Sequence, residues 1–498
     1  MLVLLSSASQ ANLAEYMTIL GIYVHAWFLV FAVGLPYVVL VFEWVGIRHR
    51  DAVYLTAARK TSYVWGISFA AGAATGTLVE FGLVQVWSGS LAAIGTYMFS
   101  VLFLELFAFM TEVVFVVLYI YTWDRYAYRW VHWLFGLIVL LGSNVSAFMI
   151  LGANSFMNVP WGTGTLLDSV LPWEKVAYGP QVSNLSALLA LAAALSTKGS
   201  SALTNVTLGN SLGRILTSPL VILSDPDLPA TFLHTVDAAI IVVSFEVSSV
   251  LAYLYFRGDP NRRKEFLGLF RKSFGVAAVA SILQPLFGDM AGRVEYAYQY
   301  TKFLAAEGFP PQGGQNPVLG ILLKGNPTYF FPGFSTLLAE TSSSVIPSAA
   351  RATVLGAEEA EPLIFPLYYG MIISGIVLFI LALVYFASFS ARLAGILEGF
   401  FSSLGLGVEK FLLLSSFAGV IISMFAGGAG WAVREVGRHP WTVYGLIPYY
   451  DVVTPAPITP AFVAAIMLLE LLIFVVGTAA ILWLVRSQVE DFLEAKSE

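Results

Sequence analysis

The stretch Tyr16–Phe42, YMTILGIYVHAWFLVFAVGLPYVVLVF, runs 27 residues without a charged side chain. A helix rises 1.5 Å per residue, so about 20 apolar residues cross the hydrocarbon of a bilayer, and this stretch is long enough to do so. It nevertheless contains His25. Imidazole is costly to bury in lipid unless it has a partner, and a metal is the partner that repeatedly justifies it. His132 and His234 also fall in or at the edge of apolar segments, and Glu435 stands just beyond another, in Gly430–Trp441, GWAVREVGRHPW. The first expectation is a membrane protein that binds haem.

The rest of the chain fits that environment. Its 498 residues are 58% hydrophobic and 11% charged, with a mean hydropathy of +0.80, too few charges to cover a water-soluble globule. The pattern predicts an all-α, polytopic membrane helical bundle of nine spans, about 16–45, 61–83, 92–122, 131–156, 231–256, 272–290, 363–388, 411–433 and 461–485. The segment 183–196 is too short to count. Lys and Arg set the orientation. With the N-terminus outside, the inner loops and tail carry Arg48, Arg50, Arg59, Lys60, Arg125, Arg129, Arg257, Arg262, Arg263, Lys264, Arg271, Lys272, Arg392, Lys410, Arg486 and Lys496, which is 16 of the 25 basic residues. The expected topology is therefore N-terminus outside and C-terminus cytoplasmic, multi-pass in a prokaryotic plasma membrane. Met1–Leu5 lacks a basic stretch, so the first span is expected to act as its own signal. The net charge of −6 carries little weight, because acidic residues hardly affect insertion. No nucleic-acid partner is expected.

Two long segments rich in Gly, Pro, Ser and Asn, 157–230 and 291–361, interrupt the bundle. The chain is expected to divide into 1–290 with six spans, an outer loop 291–361, and 362–498 with three spans. The absence of cysteine excludes disulfides within the chain, cysteine-ligated iron–sulfur clusters, covalent c-type haem and thiolate-bound copper. A redox centre here must be held by His, Met, Glu or the backbone. Five histidines are too few for the site of a haem–copper oxidase.

Distributed in order over most of the chain are Tyr23-Val-His25 with Gly34 and Glu43; Ala74–Phe81; Trp123-Asp-Arg125; Leu141–Ser146 with Asn154; Phe232–Thr235; Gly288-Asp289; Gln299–Glu307; Pro366-Leu-Tyr368; and Gly437–Trp441. In this series the chain resembles subunit I of the cytochrome bd quinol oxidases, as a divergent or archaeal-type member. The resemblance implies three haems: a low-spin haem b that takes electrons from quinol, a high-spin haem b, and a haem d that reduces dioxygen. It further implies quinol and dioxygen as substrates, and membrane lipid, a second membrane subunit and small accessory subunits as partners. By the same resemblance His234 is an axial ligand of the low-spin haem, and His25 and Glu435 each ligate one of the other two. Trp441 falls in the cofactor motif, and Arg438 suits a haem propionate, because a guanidinium fork matches a carboxylate. One position departs. The family's low-spin haem takes a Met as second ligand, and here that position is Ser374, with Ile372 where an Arg is expected. Met371, on roughly the same helix face, is the candidate substitute.

Depth along the spans agrees with this grouping. His25, His234 and Glu435 all fall within roughly 15 Å of the outer boundary at 1.5 Å per residue. Glu105 and Glu112, seven apart, lie on one helix face, with Glu112 roughly 30 Å down. Buried carboxyls in series mark proton paths. The resemblance matches Glu112, Ser146 and Asn154 to the family's hydrophilic path, although Ser and Asn also bond helices together. Asp237, one turn past His234, is placed to orient the imidazole. Lys302 and Glu307 match the family's quinol-contacting pair. Oxidising a quinol releases two protons with two electrons, so a carboxylate base is needed. The sequence thus predicts a haem-containing terminal quinol oxidase subunit that oxidises quinol at the outer face and reduces dioxygen to water with cytoplasmic protons. Two readings stand beside it. A companion subunit with an incomplete electron-entry site would explain Ser374; a haem-free transporter would explain the buried acids but not Gly437–Trp441.

Overall fold

The computed structural model describes residues 9–125, 128–160, 167, 170–175, 224–454 and 456–494; the segment 183–196 and most of 157–230 lie outside them. Each expected span lies inside one long helix. These are α1 Gln10–His49, α2 Ala52–Val86, α3 Ser88–Tyr121, α4 Arg129–Asn158, α5 Leu228–Arg257, α6 Arg263–Tyr298, α10 Pro347–Ala387, α12 Val408–Val436 and α13 Pro460–Glu494. Shorter helices α7 Tyr300–Glu307, α8 Pro317–Lys324, α9 Phe334–Glu340 and α11 Ala391–Ser403 complete the set of thirteen among the described residues. Local chemistry sets the ends. Ser9 caps α1 by accepting from the Asn12 amide, and Pro229 and Pro347 occupy the first turn of α5 and α10, where a missing N–H costs nothing.

Eight described helices are long and apolar enough to cross a membrane. The exception among the nine expected spans is α2, whose 61–83 portion is diluted by Gly, Ala, Ser and Thr. Small residues serve packing rather than lipid contact. Ser62, Ser68 and Thr75 of α2 are buried, and the helix lies against α1, α3 and α13. α5 is packed by α1, α6 and α12, while α12 also meets α10. At Gly34 the α1 backbone comes so near α5 that a Cβ would sit 2.6 Å from the Ala239 carbonyl oxygen.

The core divides into clusters. Phe28, Phe42, Trp65, Tyr119, Phe245 and Phe274 fill the largest one, and Leu13, Met17, Trp87, Phe156, Val443 and Ile447 fill another at the end where α1 begins. Segment 291–361 is folded rather than a loop. α6 extends to Tyr298, α10 already begins at Pro347, and between them α7 and an antiparallel pair, β1 Gly313–Gln315 with β2 Phe330–Pro332, enclose Tyr300, Phe303, Phe331 and Phe334. A second small pair, β3 Trp441–Val443 with β4 Ile447–Pro448, follows α12.

Candidate functional site

The last turn of α12 is the most heavily bonded polar region. Glu435 accepts from the Arg438 guanidinium at 2.6 Å and from the Asn154 amide of α4 at 2.9 Å. Its neighbour Arg434 points elsewhere, donating to Asp227 at 2.7 Å, Thr231 at 2.8 Å and Asn154 at 2.5 Å. Burial acts to raise the Asp227 carboxyl, and the Arg434 guanidinium overrides it, leaving Asp227 below its ordinary range. Arg438 is 7% exposed, yet among the described residues its Nη1 has no acceptor, and the buried indole N–H of Trp431, one turn before Glu435, has none either. Asn154 therefore stands at this carboxylate, bonded to neither Glu105 nor Glu112. Trp441 donates to Thr353 of α10 and is buried with Val170, Leu171 and Tyr444.

The two candidate imidazoles sit in glycine-lined places. His25 Nδ1 lies 3.1 Å from the Gly72 carbonyl and 3.2 Å from the Thr75 hydroxyl of α2. A carbonyl only accepts, so Nδ1 carries the proton and Nε2 keeps the lone pair that a metal takes. A Cβ on Gly76 would stand 3.0 Å from His25 Cε1, and one on Gly288 would stand 3.6 Å from His234 Cε1. The Gln284 amide of α6 lies 3.3 and 3.4 Å from the two ring nitrogens of His234. Asp237, expected to orient that ring, makes no hydrogen bond to it among the described residues, and its Oδ2 is buried without a partner. A neighbouring helix reaches the ring where a side chain one turn along α5 does not. Met371 directs its sulfur at α12, where a Cβ on Gly430 would lie 2.8 Å from it. Ser374 is buried.

His132 needs no metal. Its Nδ1 lies 2.6 Å from Glu43 Oε1 and its Nε2 2.7 Å from the Tyr119 carbonyl, while the Tyr119 hydroxyl donates to Glu43 Oε2 at 2.6 Å. Glu43 and His132 are fully buried, and this closed cluster satisfies the polar groups of both.

Along α3 the two carboxyls meet α4. The Ser146 hydroxyl donates to Glu105 Oε1 at 2.8 Å and also reaches Glu112, and the Ser143 hydroxyl donates to Glu112 Oε2 at 3.3 Å. Ser143 was not singled out from sequence, although it belongs to the same Gly142-Ser-Asn-Val-Ser146 run. Glu112 Oε1 is buried with no partner among the described residues.

α7 separates Lys302 from Glu307. Five residues turn a helix by about 140° beyond a full revolution, so the two side chains leave on different faces. Glu307 accepts from Tyr368 at 3.2 Å and Tyr369 at 3.0 Å, both on α10, and burial raises its carboxyl against the pull of those hydroxyls. Lys302 is 3% exposed and donates to the Arg434 carbonyl at 3.3 Å. Burial lowers its ammonium, opposed by Glu295, Asp227 and Glu435 nearby. At the start of α7 the buried Glu174 accepts from the Tyr444 hydroxyl at 2.7 Å, which in turn lies 2.7 Å from Thr301. Burial pushes the Glu174 carboxyl up to about 8.

Among the described residues no three His, Asp or Glu side chains converge to hold a metal ion. His25, His234 and Glu435 are lone donors. A lone donor suits iron that brings its own porphyrin nitrogens. The unmatched donors of Arg438 and Trp431 suit carboxylates such as propionates. The residues present fit haem.

A family model described as cytochrome bd terminal oxidase subunit I matches residues 13–491. The chain is 22% identical over 485 residues to cytochrome bd ubiquinol oxidase subunit 1 of Bacillus subtilis, covering 93% of this chain and 90% of that one. It is 24% identical over 490 residues to cytochrome bd-II ubiquinol oxidase subunit 1 of Escherichia coli, covering 86% of each. The solved bd oxidase of Geobacillus thermodenitrificans shares its fold, with a TM-score of 0.70 at 23% identity, covering 96% of this chain and 98% of that chain.

Proposed function

The chain belongs to the cytochrome bd terminal oxidase subunit I family, and from that premise we propose a quinol oxidase in which His234 ligates a low-spin haem b while His25 and Glu435 each ligate one of a high-spin haem b and a haem d. The observation that carries this reading is the set of three lone donors on α1, α5 and α12, each prepared by its surroundings. Bound haem supplies one-electron transfer and the reduction of dioxygen to water. The residues supply the rest. Glu307, held by Tyr368 and Tyr369, accepts a quinol proton. Glu112 and Glu105 pass protons towards the His25 end through Ser143 and Ser146, whose hydroxyls both donate and accept. Arg438 and Trp431 bind propionates. The N-terminus lies outside, quinol is oxidised at that face, protons come from the cytoplasm, and a second membrane subunit completes the complex.

Ser374 favours a second reading, a companion subunit in which electron entry is incomplete, unless Met371 supplies the missing ligand. Purified protein should show quinol-dependent oxygen uptake and b- and d-type haem by pyridine haemochrome analysis. Protein without haem overturns the proposal. Haem without a low-spin b signal moves the assignment to the companion subunit, and a low-spin signal that Met371→Leu alters identifies the thioether as ligand.

A further inference from the structure

The last four carbonyls of a helix have no partner within it. At the end of α12, Val433 O accepts from Gly437 N, Glu435 O from Arg438 N and Val436 O from His439 N. The remaining carbonyl, Arg434 O, accepts from Lys302 Nζ. A lysine head at a helix C-terminus completes the hydrogen bonding and opposes the negative end of the dipole. Gly437 makes room for it and for the close of α12: a Cβ there would stand 2.6 Å from Cδ and Cε of Lys302 and 2.6 Å from the Val433 carbonyl oxygen. The ammonium thus reaches the peptide group that joins Arg434 to Glu435, while Glu307, on another face of α7, is held by α10.

We propose that Lys302 is a positioning residue for Glu435, fixing the last turn of α12 from the quinol-side helix rather than contacting quinol. This deepens the proposed function and rests on Glu435 being a haem ligand. α7 then joins two sites: its C-terminal end carries the base for quinol, and its first turn secures the axial carboxylate.

The test compares holoenzyme carrying Lys302→Met or Lys302→Arg with wild type, reading reduced-minus-oxidised and CO-difference spectra, the Km for quinol, and oxygen uptake driven by quinol or by ascorbate with a diffusible mediator. A misplaced ligand should shift the high-spin spectrum and lower turnover about tenfold with both donors, leaving Km for quinol within about twofold, and Lys302→Arg should restore the spectrum. Gly437→Ala should reproduce the spectral shift, and the Gly437→Ala, Lys302→Met pair should lose no more than either alone. If Lys302→Met does not assemble, Lys302→Gln and Gly437→Ala are judged by the same readings. A raised Km with unchanged spectra and unchanged mediator-driven turnover would make Lys302 a quinol contact and overturn the proposal. Additive losses would overturn it too. Wild type without haem or quinol-driven oxygen uptake would instead overturn the parent assignment.

Discussion

Glu435 and Glu112 are both carboxyls set into an apolar bundle, and their surroundings are opposite. Glu435 has a guanidinium on one oxygen and a primary amide on the other, with Arg434 and Lys302 behind them. Glu112 has serine hydroxyls on one side and a buried oxygen with no partner on the other. Fixed cations favour a carboxylate anion, which suits the iron-ligand role proposed for Glu435. Hydroxyls serve either protonation state and so suit a group that passes a proton on. Two carboxyls of one chain are thus given different tasks by their neighbours alone.

The harshest way to break this contrast is to remove the ligands. His25→Ala and Glu435→Ala should each abolish oxygen reduction while the protein still inserts, and unchanged high-spin absorbance with normal uptake in both would refute the ligand assignment. Next comes the other carboxyl. Glu112→Gln keeps the volume but cannot release a proton, so turnover should fall about a hundredfold with haem content intact. Lost haem would place Glu112 in a binding pocket, and normal turnover would make it a packing residue.

Glu307→Gln should slow quinol-driven uptake about tenfold and leave mediator-driven uptake alone, since it acts before electrons reach the haems. Equal losses with both donors would remove Glu307 from the quinol site. The smallest effect concerns Glu174, a carboxyl with a tyrosine hydroxyl in place of a cation. The folded protein retains its proton up to about pH 8, whereas the unfolded chain releases it near 4.5. Its contribution is therefore fully present below about pH 4.5 and is lost as pH rises through about 8. Hydrogen exchange in α7, corrected for the intrinsic rate, should rise through that range and flatten in Glu174→Gln. An equal rise in the variant would detach Glu174 from the docking of α7.

Span positions were legible because lipid demands long apolar helices, and each of the nine contains the stretch read from sequence. Lone donors such as His25 stood out for the same reason. Partnerships were harder to read. Ser146 and Asn154 share a face of α4, yet eight residues separate them by about 12 Å, which takes one to Glu105 and the other to Glu435. His132 shared the apolar setting of His25 and His234, and its partner Glu43, 89 positions away, is adjacent only in three dimensions. Lys302 and Glu307 were paired by the family resemblance, and the rotation of α7 sends them to different partners. The membership shown by residues 13–491 sets aside the transporter reading that buried acids alone left open.

Asp227 stands immediately before α5 and Arg434 in the last turn of α12, and the bridge between them is almost wholly enclosed. His234 is two turns along α5 from that bridge, and Glu435 adjoins it on α12. The two helices are therefore bolted together beside the two proposed ligands. Electron hopping falls off exponentially with the gap to be crossed, so a fixed spacer makes the rate insensitive to breathing of the bundle. Being enclosed, the bolt is poorly screened by salt, and cutting one side costs about 3–5 kcal/mol. On the proposed ligand assignment, this ion pair helps to hold the interval between two redox stations, together with the packing of α5 on α12.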